Sequence, residues 1–493
     1  MVASHQWVCE ASAAELADAL ETNSTTSVEI VTALVERIDE IDGAATAVAL
    51  RSVIAVADSA LDDARRADDE RRAGRARGPL HGVPILVKDN IEARGLPGTA
   101  GSTSLIGRHV ERDAPLVARL REAGLIVAGA TNLSEWANFR SPLSTSGWSG
   151  VGGLCVNPFR LDRSAGGSSS GAGASLAARL TPLAVGTETN GSITCPASLN
   201  GVVGLKPAVG TVSAVGVAPI ASSQDSPGPM ARTVMDVAAL FEVLSGRGGA
   251  STRAARGLDG ARVAGANNLT TGHPATDALF ASVVSTLRAA GVVTREVDVA
   301  EPDAEVFADE VTVLLCEMAD DLNAFLLRRG GEGPSSVAEL IEFNRRHSDV
   351  ELVHFGQEYL ERALATGGRA DPAYAGARSR NLTWARERCL EPALAGVDCY
   401  VAASYGPAWK NDLVLGGSGS AHWSQVAQAP SVAGWPIATV PMGAVDGLPV
   451  GLSIVGRPGA EEMMLGVARE IERVLDLRSG DRLVPRFEPC ARG

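Results

Sequence analysis

Two serines, Ser168 and Ser192, stand on two glycine-rich turns separated by one helix pattern and one apolar run, and a lysine, Lys88, closes another apolar run upstream. A hydroxyl is a weak nucleophile near neutral pH and needs an adjacent base. A lysine at the end of a buried strand loses hydration, which lowers its pKa and makes the neutral amine accessible as that base. The turns read Gly166-Gly167-Ser168-Ser169-Ser170-Gly171 and Thr189-Asn190-Gly191-Ser192. Glycine and asparagine tolerate positive φ, so such turns can aim successive backbone N–H groups at a developing oxyanion. The chemistry this set can perform is nucleophilic attack on a carbonyl.

Each residue also has a purely structural reading. The Ser168–Ser170 run can be a flexible turn that caps the next helix, and Ser192 an ordinary turn serine. Lys88 can pair with a neighbour such as Asp89. A phosphate loop is a poor alternative, since no Gly-Lys-Ser/Thr follows and no G-x-G-x-x-G is completed. Cys195, three residues past Ser192, is the better intrinsic nucleophile, but a cysteine hydrolase pairs with histidine. None of the seven histidines lies in the central stretch, although His81 and His422 can approach in space, so Cys195 reads as packing. The histidines form no H-x-x-x-H pattern, and neither a metal nor a cofactor is expected.

The elements that must position these groups follow an α/β rhythm. Residues 12–75 read as helices. Thr26 with Glu29 forms a capping-box pattern, and Ile30, Leu34, Ile38 and Ile41 fall on one face. Ile85–Val87 reads as a buried strand ending at Lys88, and 113–131 as helix then strand. A small-residue helix is expected from about Ala172 to Leu180, and a strand over Leu183–Val185. Residues 201–207 read as a strand with a turn, 222–232 as a Pro/Gly loop and 234–244 as a helix. Asp225 in that loop is expected to accept hydrogen bonds that fix a turn. Further on, strands are expected at GARVAGANN, 292–299, 397–404 and 450–455. Helices are expected at 275–290, through most of 305–395, and at 461–475. The loop TNLSEWANFRSPLSTSGWS holds Trp136, Phe139 and Trp148, which either line a pocket or pack.

Composition narrows the class. A hydrophobic content of 45% and a charged content of 21% are globular values, and 54 glycines suit a loop-rich α/β chain. The net charge of −14 disfavours nucleic acid and anionic membranes as partners. Seven dispersed cysteines without C-x-x-C, no apolar stretch long enough to span a bilayer and an opening Met1-Val-Ala-Ser-His-Gln without an apolar core lead to the expectation of a cytoplasmic chain with free thiols.

Three motifs in order, PLHGVPILVKDN with Lys88, GGSSSG with Ser168 and GTETNGSI with Ser192, resemble the amidase signature family. The likeness runs from about Leu16 to AGWPIATVPMG…GLPVGLSIVGRPG and is weakest over about 245–395. It implies an α/β fold with a large mixed β-sheet core covered by helices on both faces. Because the chain returns late to strands that complete the sheet begun early, one interwoven domain over 1–493 is expected rather than separable domains. Its parts are N-terminal helices at about 12–75, a signature core at about 78–245, a helical elaboration at about 300–395 and a sheet-completing part at about 397–480.

The resemblance further implies amide hydrolysis by a Ser–Ser–Lys triad. Ser192 would be the nucleophile, Ser168 the bridge, on a cis Gly167–Ser168 peptide, and Lys88 the base. Backbone N–H groups of Thr189, Asn190, Gly191 and Ser192 would form the oxyanion hole. Trp136, Asn138, Ser141 and Trp409 are expected to meet the substrate. Many family members read D-x-G-G-S-I-R here, whereas this chain has Glu188, Asn190 and Thr194 at the variant places. Asn190 is expected to take αL geometry, and support for the turn must differ without the arginine. The GTET-x-GSI-x-CPAS variant, with NLSEWANFRS, SQDSPGPMAR and PAWKNDLV, resembles the subgroup containing bacterial peptide amidases. It implies a peptide C-terminal amide as substrate, with no cofactor, and a monomer or homodimer. The alternatives are a broad amidase acting on aryl amides, carbamates or esters, the amidase subunit of a tRNA-dependent amidotransferase, and a non-catalytic binding protein.

Overall fold

Apolar runs bounded by glycine and proline become strands of one sheet in the computed structural model, which describes residues 5–417, 421–477 and 483–488. In chain order these are β1 (Val53–Val56), β2 (Pro84–Lys88) and β3 (Ile126–Thr131). A small ribbon of β4 (Trp148–Ser149) and β5 (Gly153–Leu154) stands apart. Then come β6 (Leu183–Glu188), β7 (Val203–Lys206) and β8 (Ser226–Ala231). After them follow β9 (Val263–Gly265), β10 (Val293–Glu296), β11 (Cys399–Ala403), β12 (Ile437–Val445) and β13 (Leu448–Gly456). The eleven-stranded sheet runs β1-β3-β2-β6-β8-β7-β12-β13-β11-β9-β10. β2 pairs parallel with β3 and β6, and β9 parallel with β10 and β11, while the other pairings are antiparallel. The sheet is therefore mixed.

Strand periodicity assigns the faces. Ile85 and Val87 of β2 and Leu183 and Val185 of β6 enter a large apolar cluster with helices Ser27–Ile41, Val234–Ser245 and Glu461–Leu475. Ala184 enters a different cluster on the other face, with Ala172, Leu176, Ile193 and Ala197. Lys88, in step with Leu86 rather than with Ile85 and Val87, faces this second side. The helix Ser27–Ile41 starts at the expected capping box of Thr26 and Glu29 and buries Ile30, Leu34 and Ile38.

Two expectations are corrected. Residues 12–75 are not all helical, because Val53–Val56 leaves the helices to become the edge strand β1 against β3. The 222–232 segment is not only a loop, because Ser226–Ala231 is β8, paired along its whole length with β6. Pro227 and Pro229 are two apart and lack donors on the same side of the strand. Pairing with β7 is confined to Met230 and Ala231, so the missing donors leave few ladder bonds unmade. Residues 305–395 are mostly helical as expected, led by the helix Ala304–Arg329. Residues 478–480 of the C-terminal part and Cys490 lie outside the described residues. The six described cysteines are all free and buried.

Candidate active site

Lys88 ends β2 with its side chain fully buried. Its Nζ lies 2.8 Å from Ser168 Oγ and 2.8 Å from Thr187 Oγ1, and donates to the Thr187 carbonyl at 3.3 Å. Burial pulls its pKa from 10.5 to about 7, against the opposing pull of Asp225 and Glu188. The neighbouring Asp89 bonds elsewhere. It accepts from the N–H groups of Gly98 and Thr99 at 2.9 Å each and from the Thr99 hydroxyl. A local pair between Lys88 and Asp89 is therefore set aside.

The three adjacent serines are not equivalent. Ser170 donates to the Gly166 carbonyl at the start of the helix Ser170–Ala177. Ser169 Oγ donates to the Thr187 carbonyl and accepts from the Thr187 N–H, each at 3.1 Å. Both serve the local backbone, whereas Ser168 meets the lysine. The Gly167–Ser168 peptide is cis. The chain here leaves no room for larger residues, since a Cβ on Gly167 would lie 2.3 Å from Ser134 Oγ.

The second turn leaves β6 directly. Gly191 takes the positive φ, +80°, and Asn190 does not, which corrects the expectation of αL geometry at Asn190. A Cβ on Gly191 would also lie 2.6 Å from the Tyr405 hydroxyl. Asn190 serves through its side chain, donating to Glu310 Oε1 at 2.9 Å and to Gln428 Oε1 at 2.8 Å. Thr189 Oγ1 donates to Asp225 Oδ1 at 2.6 Å. The other Asp225 oxygen accepts from the N–H groups of Ile220 and Ala221, the turn-fixing role expected of it. Burial pushes the Asp225 carboxyl up to about 7.

The two departures from the family pattern meet each other. Glu188 accepts from the N–H groups of Ile193 at 2.6 Å and Thr194 at 2.8 Å and from Thr194 Oγ1 at 3.4 Å. A carboxylate thus satisfies donors at the start of the helix Thr194–Leu199, which no arginine needs to support. The two serine turns are tied together where Ser169 N–H donates to the Ser192 carbonyl at 3.1 Å.

Ser192 opens onto a cleft of about 240 Å³. Thr189 and Asn190 border it beside Ser192. Ile220, Leu314 and Phe139 supply one apolar side. Tyr405, Trp409 and Trp423 supply an aromatic side. Among the described lining residues none is charged, and the undescribed residues 418–420 are Ser-Gly-Ser. Of the expected substrate-facing residues, Asn138 and Trp409 reach this cleft. Asn138 Oδ1 itself is shielded from solvent and has no hydrogen-bond partner among the described residues.

Trp136 and Ser141 are placed differently. Trp136, Ala137 and Asn138 adopt a left-handed run with φ of 48°, 55° and 73°. This run presents Ala137, Asn138 and Phe139 to the cleft and turns the Trp136 indole into a cluster with Leu105, Leu315 and Met318. Ser141 Oγ accepts from the Leu143 N–H, and its own N–H donates to Ser144 Oγ, so it holds a turn. Cys195 is packed, its thiol pushed up to about 12 by burial.

Glu310, Leu314, Gln428, Tyr405 and Trp423 are not singled out by the sequence. The available signal for the first two is spacing, since Glu310, Leu314, Glu317 and Asp321 recur on one helical face. Among the described residues no group of three or more His, Cys, Asp or Glu is placed to hold a metal ion. No helix among them is long and apolar enough to cross a membrane.

A buried lysine amine bonded to the first of two linked serine turns, carried on a mixed sheet, fits a serine amidohydrolase. The chain belongs to the amidase family, whose profile, described as Amidase, matches residues 29–465. It is similar to the native peptide amidase of Stenotrophomonas maltophilia, 40% identical with a TM-score of 0.88, covering 97% of this chain and 99% of that one. An amidase family protein from Bacillus anthracis is 28% identical with a TM-score of 0.85, covering 98% and 93%. A glutamyl-tRNA(Gln) amidotransferase subunit of Symbiobacterium thermophilum is 33% identical over 485 residues, 94% of this chain and 96% of that relative.

Proposed function

We propose that this amidase removes the C-terminal carboxamide of peptides through an acyl-enzyme on Ser192. The observation that carries the mechanism is the 2.8 Å contact of a buried Lys88 amine, its pKa drawn to about 7, with Ser168 Oγ, on a turn that the Ser169 N–H ties to the Ser192 carbonyl. Neutral Lys88 takes a proton from Ser168, which takes one from Ser192. The Ser192 Oγ then bonds the amide carbon, and the carbonyl π pair moves to oxygen. Backbone N–H groups of Thr189, Asn190, Gly191 and Ser192 meet that oxyanion. Collapse returns the proton through Ser168 to the leaving nitrogen, which departs as ammonia. Water enters with the same lysine as base and releases the acid.

The substrate class follows from the cleft. Free glutamine carries an ammonium and a carboxylate, and the described lining offers a counter-charge to neither. A peptide amide presents a neutral backbone suited to the uncharged lining, and side chains suited to the aromatic side. The likeness to the Stenotrophomonas peptide amidase supports the same reading. Relatives named as amidotransferase subunits support the glutamine alternative, which the neutral lining disfavours. The proposed enzyme needs no cofactor and acts as a monomer or homodimer. Its free thiols fit the cytoplasm as its compartment.

The test is ammonia release from an amidated peptide, free glutamine and a simple aliphatic amide, with an anilide and a carbamate followed by their own products. Wild type turns over the amidated peptide best, and Ser192→Ala loses that turnover while keeping the fold. Hydrolysis of only the anilide or carbamate would reject the peptide assignment. Full activity in Ser192→Ala would reject the mechanism.

A further inference from the structure

The helix Ala304–Arg329 touches the site twice on one face. Leu314 lines the cleft, and one turn earlier Glu310 points at the turn that carries Ser192. Glu310 is buried, and three carboxamides converge on it. Asn190 Nδ2 and Gln224 Nε2 donate to Oε1 at 2.9 Å each, and Gln428 Nε2 donates to Oε2 at 2.7 Å. These donors come from three segments: the Ser192 turn, the loop before β8, and the helix Gln428–Ala433. A carboxylate is the side chain that can accept from all three with no donor of its own to misplace. Both hydrogens of the Asn190 amide are thereby used, one on Glu310 and one on Gln428.

We infer that Glu310 is a positioning residue for amide hydrolysis: it holds Asn190 so that the backbone N–H groups of the Ser192 turn stay aimed at the oxyanion. The inference rests on the acyl-enzyme reading above. A bare carboxylate near that oxygen would oppose the developing charge, and the three N–H donors directed at Glu310 offset this. The same helix continues the grip on the loop that carries Asp225. Glu317 accepts from the Ser223 N–H and Asp321 from the Ser222 N–H, each at 2.9 Å. Thr189 is held by Asp225 and Asn190 by Glu310, so both residues ahead of Gly191 are fixed from the helical elaboration.

The test uses the full chain with an amidated peptide and reads kcat and KM separately. In Glu310→Gln, an amide N–H of the new side chain faces donors, and the turn loosens. Removing an oxyanion donor outright lowers kcat by roughly 100- to 1,000-fold. Misaiming it is expected to lower kcat by about 10- to 100-fold, with KM within about threefold. The double variant E310Q/Q428E exchanges carboxylate and carboxamide, leaves Asn190 two acceptors, and is expected to recover most of kcat. Wild-type kcat in Glu310→Gln would overturn the inference, as would a folded double variant with kcat at or below that of Glu310→Gln. If Glu310→Gln does not fold, the folded double variant decides, near-wild-type kcat supporting the inference and a loss beyond tenfold overturning it. Failure of wild type to release ammonia from the peptide would instead reject the substrate reading, and the same kcat ratio is then read on an anilide, with the same two outcomes for Glu310.

Discussion

Lys88 carries a charge state that links activity to stability. With its pKa near 7, the proposed base is protonated below that value and free above it, so kcat is expected to rise through about pH 7. The sign for stability follows from the same shift. Below about 7 the lysine is charged in both folded and unfolded chains, and the full penalty of burying it is present. Between about 7 and the ordinary 10.5 the unfolded chain binds the extra proton, so stability rises with pH. Lys88→Met should therefore be more stable than wild type near neutral pH, with the gap narrowing toward alkaline pH. Urea unfolding at two pH values checks this, and a gap that widens would contradict it. The triad candidates were legible because Lys88, Ser168 and Ser192 sit in contiguous motifs. Glu310 was not, because its meaning lies in Asn190, Gln224 and Gln428, which reach it from distant segments and look like ordinary polar residues in the chain.

At the scale of elements, the site depends on how closely the helix Ser170–Ala177 lies against the sheet. A Cβ on Gly171 would stand 2.2 Å from the Ser52 carbonyl and 2.6 Å from the Asn132 backbone nitrogen and oxygen. None of those atoms belongs to a side chain that can swing away. Gly171→Ala is expected to destabilise the chain by about 1–3 kcal/mol or more, from overpacking against backbone. It should also lower kcat, because Ser168 sits just ahead of the helix. Thermal unfolding and ammonia release measure the two effects, and a variant unchanged in both would show that the helix can back away. Elements with clean periodicity, such as Ser27–Ile41 and Ile85–Val87, were readable from sequence. β8 was not, because Ser-Pro-Gly-Pro-Met-Ala violates strand preference at nearly every position. It forms through its six-residue pairing with β6, a long-range contact with no local signature. β1 was missed for a similar reason, since an edge strand of four half-buried residues between two helices has a weak pattern.

Across the whole molecule the strand order interleaves early and late segments. β7, made early, pairs with β12, and β12 with β13, so the last two strands join the early part of the sheet to β11, β9 and β10. The proposal of one domain over 1–493 predicts that a chain ending before Ile437 is neither soluble nor active, whereas separable domains would leave a folded N-terminal fragment. Expression of residues 1–436 and its proteolysis pattern distinguish the two. The general layout was legible because helix and strand patterns alternate and then return to strands near 397. The insertion of β12 and β13 at the centre was not, because no local pattern encodes which strand lies beside which. Lys88, Ser168 and Ser192 are all synthesised before residue 193, yet the sheet that holds them closes only when residue 456 has been made. On a translating ribosome the nascent chain would thus carry every group of the proposed triad for more than half of its synthesis without the means to hydrolyse its neighbours' amides.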